Sequence, residues 1–323
     1  MKKVGYLVFG DESTSSTPRH AERPPAFVNQ QRRAGSERFQ RAKSKHALSR
    51  PADTLRLSPN GKHWDFAQGD AHVKLSPEEL AGWQFLQSCK QVKSTLLPSI
   101  QLSNTPSILL RTDLVWWHYD SSISLPLPAL DPNVIDSLRS YVERGGSLFL
   151  SLLASQYVFD LGVEEVRPNI LEKGQWNRHC WSEKYPDIRG LSSFQGHPIF
   201  NGLHGAVYTW SPKPESNFAA AFYEAPALPK NGKVVAVERE YIKLNEDWRV
   251  AVEYKLGKGR ILTVGSFMFF ADEENRFRPH LEFLTENCLA YLTSAAHELN
   301  PLPEFKNPQN YLSFDPPTVR FTK

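Results

Sequence analysis

The stretch VIDSLRSYVERGGSLFLS, residues 134–151, decides the fold class of this chain. Apolar residues recur at helical spacing from Val134 to Val142, Gly145 and Gly146 end that helix, and residues 148–150 continue as an apolar strand. A helix that stops on glycine and leads into a fully apolar strand is typical of a parallel α/β sheet, because helices cover both faces of such strands. The stretch predicts an architecture and leaves the reaction open.

Other segments fill in the same architecture. LSPEELAGWQF begins a helix in which Ser76 is the N-cap, Pro77 the first residue and Glu79 the partner of a capping box. Residues 114–120 predict a second apolar strand, and residues 157–163 predict a short helix. An irregular stretch is expected over 164–232. Beyond it we expect three strands over 233–270, with a hairpin at 256–260, and a terminal helix over 281–295. We expect a basic, largely disordered lead over 1–73 with a first strand at 3–10, an α/β domain over 74–298 and a proline-rich tail over 299–323.

Composition excludes several classes of protein. The first 60 residues carry 12 Lys/Arg and 5 Asp/Glu, which is consistent with a solvated linker or with a polyanion-binding segment. Few aromatic residues interrupt that segment, so the sequence does not favour nucleic-acid binding. Three widely spaced cysteines form no C-x-x-C pair and indicate neither a zinc knuckle nor a dense disulfide frame. No apolar run approaches the ~20 residues that span a bilayer, and the start of the chain reads as a strand rather than a secretion signal.

Five strings together carry a family resemblance: WWHYD (116–120), SYVERGGSLFLS (140–151), GHPIFNGL (196–203), VEYKLGKGRILTVGS (252–266) and ENCLAYL (286–292). With them, residues 74–295 resemble the class I glutamine amidotransferase-like superfamily, in particular its ThuA-like and carbohydrate-associated branch. The resemblance implies a flavodoxin-like, doubly wound, mostly parallel sheet with helices on both faces.

The chain departs from that family at the catalytic position. Active amidotransferases hold a nucleophilic cysteine in a G-x-C-x-G elbow between a strand and a helix. Here the strand is followed by LLASQY, residues 152–157, and none of Cys89, Cys180 and Cys288 has glycines at the required offsets. We therefore expect no glutaminase activity and, in Cys288, a buried apolar residue of the last helix.

Candidate site residues follow two strand ends, where open parallel sheets bind ligands. His118 and Asp120 close one strand, and Gln156 lies beyond the other. The first two could form an acid/base pair or bind a metal, or they could only hydrogen-bond a loop. Three consecutive acids at 272–274 would join a metal site only within reach of that pair; otherwise they form a solvated loop.

The segment 164–232 is rich in aromatic residues, whose faces stack on sugar rings while neighbouring polar groups bind hydroxyls. An equally open interpretation is that these residues cover the sheet or contact a protein partner, and His197 before Pro198 is either a site residue or scaffold. The candidate ligand-binding residues there are Trp176, Asn177, Arg178, His179, Trp181, His197 and Trp210.

From these residues we expect a non-catalytic amidotransferase-like module that binds carbohydrate or acts as a scaffold, without a cofactor. The alternatives are a hydrolase that uses His118 and Asp120, and a protein-interaction module that uses the 164–232 segment.

Overall fold

The computed structural model describes residues 1–9, 54–57, 64–68, 71–121, 124–171, 188–193, 196–211, 220–240 and 244–294. The strands are β1 Lys2–Val8, β2 Thr54–Leu57, β3 Trp64–Gln68, β4 Ala71–Leu75, β5 Val92–Pro98, β6 Leu114–Tyr119, β7 Ser147–Leu152, β8 Asn169–Leu171, β9 Arg189–Ser192, β10 Ala206–Trp210, β11 Ala220–Phe222, β12 Lys233–Glu240, β13 Leu244–Leu256 and β14 Gly259–Val264. The helices are α1 Pro77–Ser88, α2 Ser99–Asn104, α3 Pro132–Glu143, α4 Tyr157–Asp160 and α5 Arg278–Thr293.

Local signals place the helix starts. At α1 the Ser76 hydroxyl accepts the N–H of Glu79 at 3.1 Å, and the Glu79 carboxylate accepts the N–H of Ser76 at 2.8 Å, which confirms the capping box. At α3 the Asp131 carboxylate accepts the N–H of Asn133 at 2.8 Å. The turn after α3 contains Gly145 at φ 115°, a backbone angle that favours glycine, and leads directly into β7.

Nine strands form one mixed sheet in the order β10-β9-β12-β13-β14-β7-β6-β1-β5. From β14 to β5 all neighbours are parallel, and numbering these five strands along the chain gives the order 2-1-3-4-5. From β10 to β14 all neighbours are antiparallel, beginning with the predicted β13–β14 hairpin. The sheet is therefore half antiparallel and not mostly parallel, because three further strands, β12, β9 and β10, extend it beyond the hairpin.

The segment predicted to be irregular and the predicted lead both contain short strands within their described residues. The stretch 164–232 contains β8, β9, β10 and β11, which pair with strands distant in the sequence. The predicted lead contains β2 and β3, which form a three-stranded antiparallel sheet with β4. These strands are only three to five residues long and lack a clear apolar alternation, so pairing with other strands decides their conformation.

The central strands are covered on both faces. Trp116 and Trp117 are adjacent in β6 and fully buried, but they belong to two different apolar clusters, one on each face of the sheet. Helices α1 and α5 pack on the first face, where Cys288 is fully buried as predicted, and α3 packs on the second. Burial on both faces explains why this strand has a continuous apolar run.

The parallel strands define the two edges used below. The carboxyl edge is where β1, β6, β7 and β14 end, and the amino edge is where they begin. The predicted strand at the chain start is present as β1, between the edge strand β5 and β6, so the first residues belong to the parallel part of the sheet. The strand predicted to end at Phe270 ends at Val264 instead, and residues 265–271 cross the carboxyl edge without regular structure.

Candidate functional site at the carboxyl edge

Three buried polar residues meet at the carboxyl edge and form what we call the carboxyl-edge cluster: Glu78 at the start of α1, His118 in β6 and Ser151 in β7. His118 Nδ1 lies 2.7 Å from Ser151 Oγ, and His118 Nε2 lies 2.9 Å from Glu78 Oε1. The exposed fractions of the three residues are 5%, 0% and 0%. The arrangement is a continuous chain of acid, imidazole and hydroxyl, closed off from solvent.

The directions of the hydrogen bonds follow from the available donors. The indole Nε1–H of Trp116 can only donate, and it reaches Ser151 Oγ at 2.9 Å. The Ser151 hydroxyl then donates its proton to His118 Nδ1, which leaves the imidazole proton on Nε2 to be donated to Glu78. This neutral tautomer gives every hydrogen along the chain an acceptor, as a buried polar network requires.

The carboxylate of Glu78 also binds the chain that crosses the carboxyl edge. It accepts the main-chain N–H of Phe270 at 2.5 Å and that of Ala271 at 2.9 Å. Its position in the first turn of α1 places its negative charge at the positive end of the helix dipole. One side chain therefore joins the start of α1, the imidazole of His118 and the 265–271 crossing, and it closes the crevice in which open sheets bind ligands.

Close packing of α1 supports this closure. A Cβ added at Gly82 would lie 2.8 Å from the Tyr6 hydroxyl and 2.9 Å from His118 Cδ2, so only glycine lets the helix approach to this distance. The Tyr6 hydroxyl donates to the Glu79 carbonyl at 2.8 Å. The imidazole ring is thus packed between α1 and the 265–271 crossing, with Phe270 edge-on to it at 5.5 Å.

The structure brings the predicted residues His118 and Asp120 to the same edge but gives them different hydrogen-bond partners. His118 binds Ser151 and Glu78, whereas Asp120 Oδ1 accepts the Ser76 hydroxyl at 2.8 Å. Burial raises the pKa of Asp120, and the hydrogen bond from Ser76 lowers it by less, so the net shift is upward. Asp120 is half-buried, so it is the member of the pair nearer to solvent.

The chain turns sharply after β7 through a residue at positive φ. Leu152 has φ 57° and ψ −133°, and a single turn of 3-10 helix over Leu153–Gln156 follows it. A non-glycine residue at positive φ is strained by about 1–3 kcal/mol. The Leu152 side chain is fully buried and packs in the core.

Two other predicted ligand residues, Gln156 and Trp210, occupy buried positions. Gln156 donates through Nε2 to the Pro168 carbonyl at 2.6 Å and fixes the chain after α4. Trp210 is 2% exposed, packs against Phe269 at 4.7 Å and donates to Asp272 Oδ2 at 3.3 Å. Neither side chain presents a free face.

His197 starts the GHPIFNGL turn and accepts the Ile199 N–H at 3.4 Å through Nδ1. Its Nε2 lies at an ion-pair distance of 3.5 Å from Glu253 Oε2, without hydrogen-bond geometry. Burial raises the pKa of Glu253, but His197, the Tyr291 hydroxyl and Arg260 lower it by more, so it lies below its ordinary value. His197 therefore belongs to a cluster of its own, beside α5.

The remaining candidates are divided between a turn and an undescribed segment. Asp272 accepts the Glu274 N–H at 3.1 Å as well as the Trp210 indole, so its carboxylate orders its own turn. In the described ranges, no three His, Cys, Asp or Glu residues are grouped as a metal site. Outside those ranges lie the predicted residues Trp176, Asn177, Arg178, His179 and Trp181.

Sequence reasoning missed Glu78 as a site residue. It contacts His118 from 40 positions away and Phe270 from 192 positions away, and no local pattern predicts such contacts. The one available signal was the capping box formed by Ser76 and Glu79, which marks the start of α1. Glu78 lies in that first turn, where a helix favours an acidic side chain.

Comparisons with known proteins give fold similarities at low identity. No protein-family profile and no curated protein sequence matches the chain. Among solved structures, a cytoplasmic protein from Salmonella typhimurium aligns at 16% identity and a TM-score of 0.42 over 71% of this chain and 94% of its own. A putative ThuA-like protein from Bacteroides uniformis aligns at 10% identity and a TM-score of 0.43 over 67% and 84%.

A beta-galactosidase from Bacillus circulans aligns at 13% identity and a TM-score of 0.40 over 67% of this chain and 26% of its own. All three TM-scores lie below 0.5. The search for membrane spans found no helix of sufficient length and hydropathy among the described residues.

Proposed function

We propose that this chain is a non-catalytic module with an amidotransferase-like, flavodoxin-like fold that binds carbohydrate or serves as a scaffold. The observation that carries the proposal is the elbow after β7, where buried Leu152 stands at the position of a nucleophile. The strand order 2-1-3-4-5 of the parallel half supports the flavodoxin-like layout. The proposed domain runs from 74 to 298 and also includes β1.

The closed carboxyl edge supports a role without chemistry. A catalytic group must reach a substrate within about 3 Å, and the carboxyl-edge cluster is at most 5% exposed. Its polar atoms already have partners within the protein, so they stabilise the positions of α1 and the 265–271 crossing. The cluster explains the fold of this edge without invoking a reaction.

Reactivity tests this part of the proposal. We expect no hydrolysis of glutamine and no labelling by a fluorophosphonate, a reagent that modifies activated serines. The variant Leu152→Cys places a thiol at the elbow, and we expect iodoacetamide to leave it unmodified in the folded protein because the position is fully buried. Unfolding in urea should expose the thiol and provides the positive control.

Hydrolysis is the second candidate function, because the order Glu78, His118, Ser151 matches the acid, base and nucleophile of a hydrolytic triad. It would require the 265–271 crossing to move. Labelling that is lost in Ser151→Ala and retained in Ser155→Ala, a matched buried serine on the same turn, would establish it. In that case Asp120, at the half-buried rim, would be the next residue to test.

The carbohydrate part of the proposal depends on the aromatic residues of 172–187, and its support comes from the sequence. Thermal-shift measurements against neutral sugars and uronic acids test it, since a ligand that binds only the folded state raises the melting temperature. We expect a shift that Trp176→Ala or Trp181→Ala abolishes. Phe283→Ala, which removes an aromatic ring that is 41% exposed in α5, is the control that should retain the shift.

A sugar panel without any shift would leave two roles, a scaffold or a protein-interaction module acting through 164–232. Pull-down with the wild-type chain and with the double variant Trp176→Ala/Trp181→Ala distinguishes them. A partner retained by the wild type and lost by the variant indicates an interaction module.

A further inference from the structure

A second site lies at the opposite edge of the sheet from the carboxyl-edge cluster. A cavity of about 320 Å³ opens at the amino edge, between the starts of β1, β6 and β7 and the last turns of α3 and α5. This volume lies at the small end of the range for ligand-binding pockets. We call it the amino-edge cavity. It is independent of the proposed function, which concerns the carboxyl edge and the aromatic segment.

Two cationic side chains line the amino-edge cavity. Lys2 and Arg144 are both exposed, and neither forms an ion pair with any side chain of the described ranges. Arg144 is the C-cap of α3, where the carbonyl end of the helix favours a positive charge. Two cations that form no ion pair beside a cavity are suited to bind a carboxylate.

Four residues that line the cavity carry hydroxyl groups whose protons are already donated within the protein. Ser147, Thr293, Ser294 and Tyr141 all donate their protons to main-chain carbonyl groups, at 2.9, 2.7, 2.8 and 3.3 Å respectively. Each hydroxyl oxygen therefore has only lone pairs left for a ligand. The exposed carboxylate of Asp113, which accepts the Lys3 N–H, adds a further acceptor.

The rest of the wall is apolar. Leu109 and Leu292 are buried side chains that reach the cavity, and Leu110 lies at its mouth with 68% of its surface exposed. A ligand that fits must therefore combine a negative group for the cations, hydrogen-bond donors for the hydroxyl oxygens and Asp113, and a carbon frame small enough for about 320 Å³. A simple anion lacks the donors, and a neutral sugar lacks the charge.

We propose that the amino-edge cavity binds a small carboxylate that carries hydroxyl or ammonium donors, such as a sugar acid or an amino acid. Lys2 and Arg144 bind its carboxylate. The oxygens of Ser147, Thr293 and Asp113 accept hydrogen bonds from its donors. Both compounds share this chemistry, and the binding measurements distinguish them.

Isothermal titration of the full chain tests the proposal with four probes: glucuronate, alanine, acetate as an anion without donors, and glucose as a set of donors without charge. At about 10 mM ligand, a Kd of about 1 mM is readily measured. We expect glucuronate or alanine to bind at least about tenfold more tightly than both acetate and glucose. Whichever of the two binds more tightly identifies the donor as hydroxyl or ammonium.

Variants then locate the binding. Arg144→Ala and Lys2→Ala each remove an exposed charge, and we expect each to weaken binding about tenfold or more, since a charge-assisted hydrogen bond is lost. Arg276→Ala removes an exposed arginine that stacks on Phe277 near the carboxyl edge and should leave the affinity unchanged. Matching melting temperatures show that the variants are folded.

Three results would overturn the inference: no binding of either donor-bearing carboxylate, equal binding of acetate and glucuronate, or binding that survives both Arg144→Ala and Lys2→Ala. None of them bears on the proposed function, because Trp176→Ala and Leu152→Cys alter other parts of the chain.

Discussion

The carboxylate of Glu164, just beyond α4, gives the sharpest test of how this fold is held together. It accepts hydrogen bonds from five main-chain N–H groups at 2.8–3.3 Å, those of Glu165, Val166, Lys230, Asn231 and Gly232. Glu164 is 3% exposed. One side chain thereby joins two chain segments that are about 65 residues apart, at a concave set of N–H groups that resembles an anion-binding nest.

The variant Glu164→Gln tests this contact. It replaces one carboxylate oxygen by an NH₂ group, which can donate a hydrogen bond but cannot accept one. The main-chain N–H groups of residues 230–232 that donate to that oxygen then lose their acceptor. Hydrogen bonds to a charged group contribute about 1.5–3 kcal/mol each, and these N–H groups are partly accessible to water. We expect the free energy of unfolding to fall by about 3 kcal/mol at pH 7, measured by urea denaturation.

The pH dependence provides the diagnostic signature. Burial raises the pKa of Glu164, but the main-chain N–H groups of Asn231, Lys230, Glu165 and Val166 lower it by more, so the pKa of the folded state lies below that of the unfolded chain. Its contribution is therefore complete above a pH of about 4.3 and is lost as the pH falls through the folded pKa. The difference between wild type and Glu164→Gln should shrink over this range, because protonated Glu164 resembles glutamine.

Glu165→Gln is the matched control. Glu165 is the neighbouring residue and pairs with Lys230 at 2.6 Å, but both side chains are mostly exposed, so we expect no measurable change in stability. A loss of stability in Glu164→Gln that is the same at every pH, or that the control reproduces, would refute the reasoning.

Three further predictions concern buried contacts, and urea denaturation checks each of them. His118→Phe leaves the buried carboxylate of the carboxyl-edge cluster without its imidazole, so we expect a loss of about 3 kcal/mol. Asp120→Asn should cost less than about 1 kcal/mol, and equal losses would instead favour a functional His118–Asp120 unit. Gly190→Ala would place a Cβ 1.9 Å from the Val207 carbonyl oxygen, so we expect a loss of about 3 kcal/mol or more; a near-neutral result would contradict the β9–β10 pairing. Tyr254→Phe removes the hydroxyl that lies 2.8 Å from the Tyr223 hydroxyl, and we expect the free energy of unfolding to fall by about 1 kcal/mol. An unchanged stability would mean that water replaces the lost hydroxyl.

Local chemistry made part of the fold predictable. The caps of α1 and α3 depend on side chains within three residues of each helix start, and the glycines after α3 stop the helix and redirect the chain. The β13–β14 hairpin follows equally local rules, with Gly257 at φ 57°. Such elements are visible in one sequence because their stabilising contacts lie within a few residues.

Long-range pairing made the other part unpredictable. Strand β9, Arg189–Ser192, is four residues long, contains a glycine and forms a strand only because β10 and β12 pair with it. In the candidate site, His118 was visible as a strand-end residue, whereas Glu78 becomes its partner only when α1 packs on the sheet edge. Positive φ at Leu152 has no signal in the sequence, since leucine does not favour it.

Packing alone accounts for the strained turn at Leu152. Its backbone strain costs about 1–3 kcal/mol, while complete burial of a leucine side chain contributes about 1.5–3 kcal/mol, so packing alone can hold the strained conformation. The turn therefore needs no reactive group to account for it: β7 ends at Leu152, Ser151 is hydrogen-bonded to the core, and the chain must reverse into α4. A strained strand-to-helix turn identifies an active site only where the side chain on it is exposed, and here that side chain is part of the core.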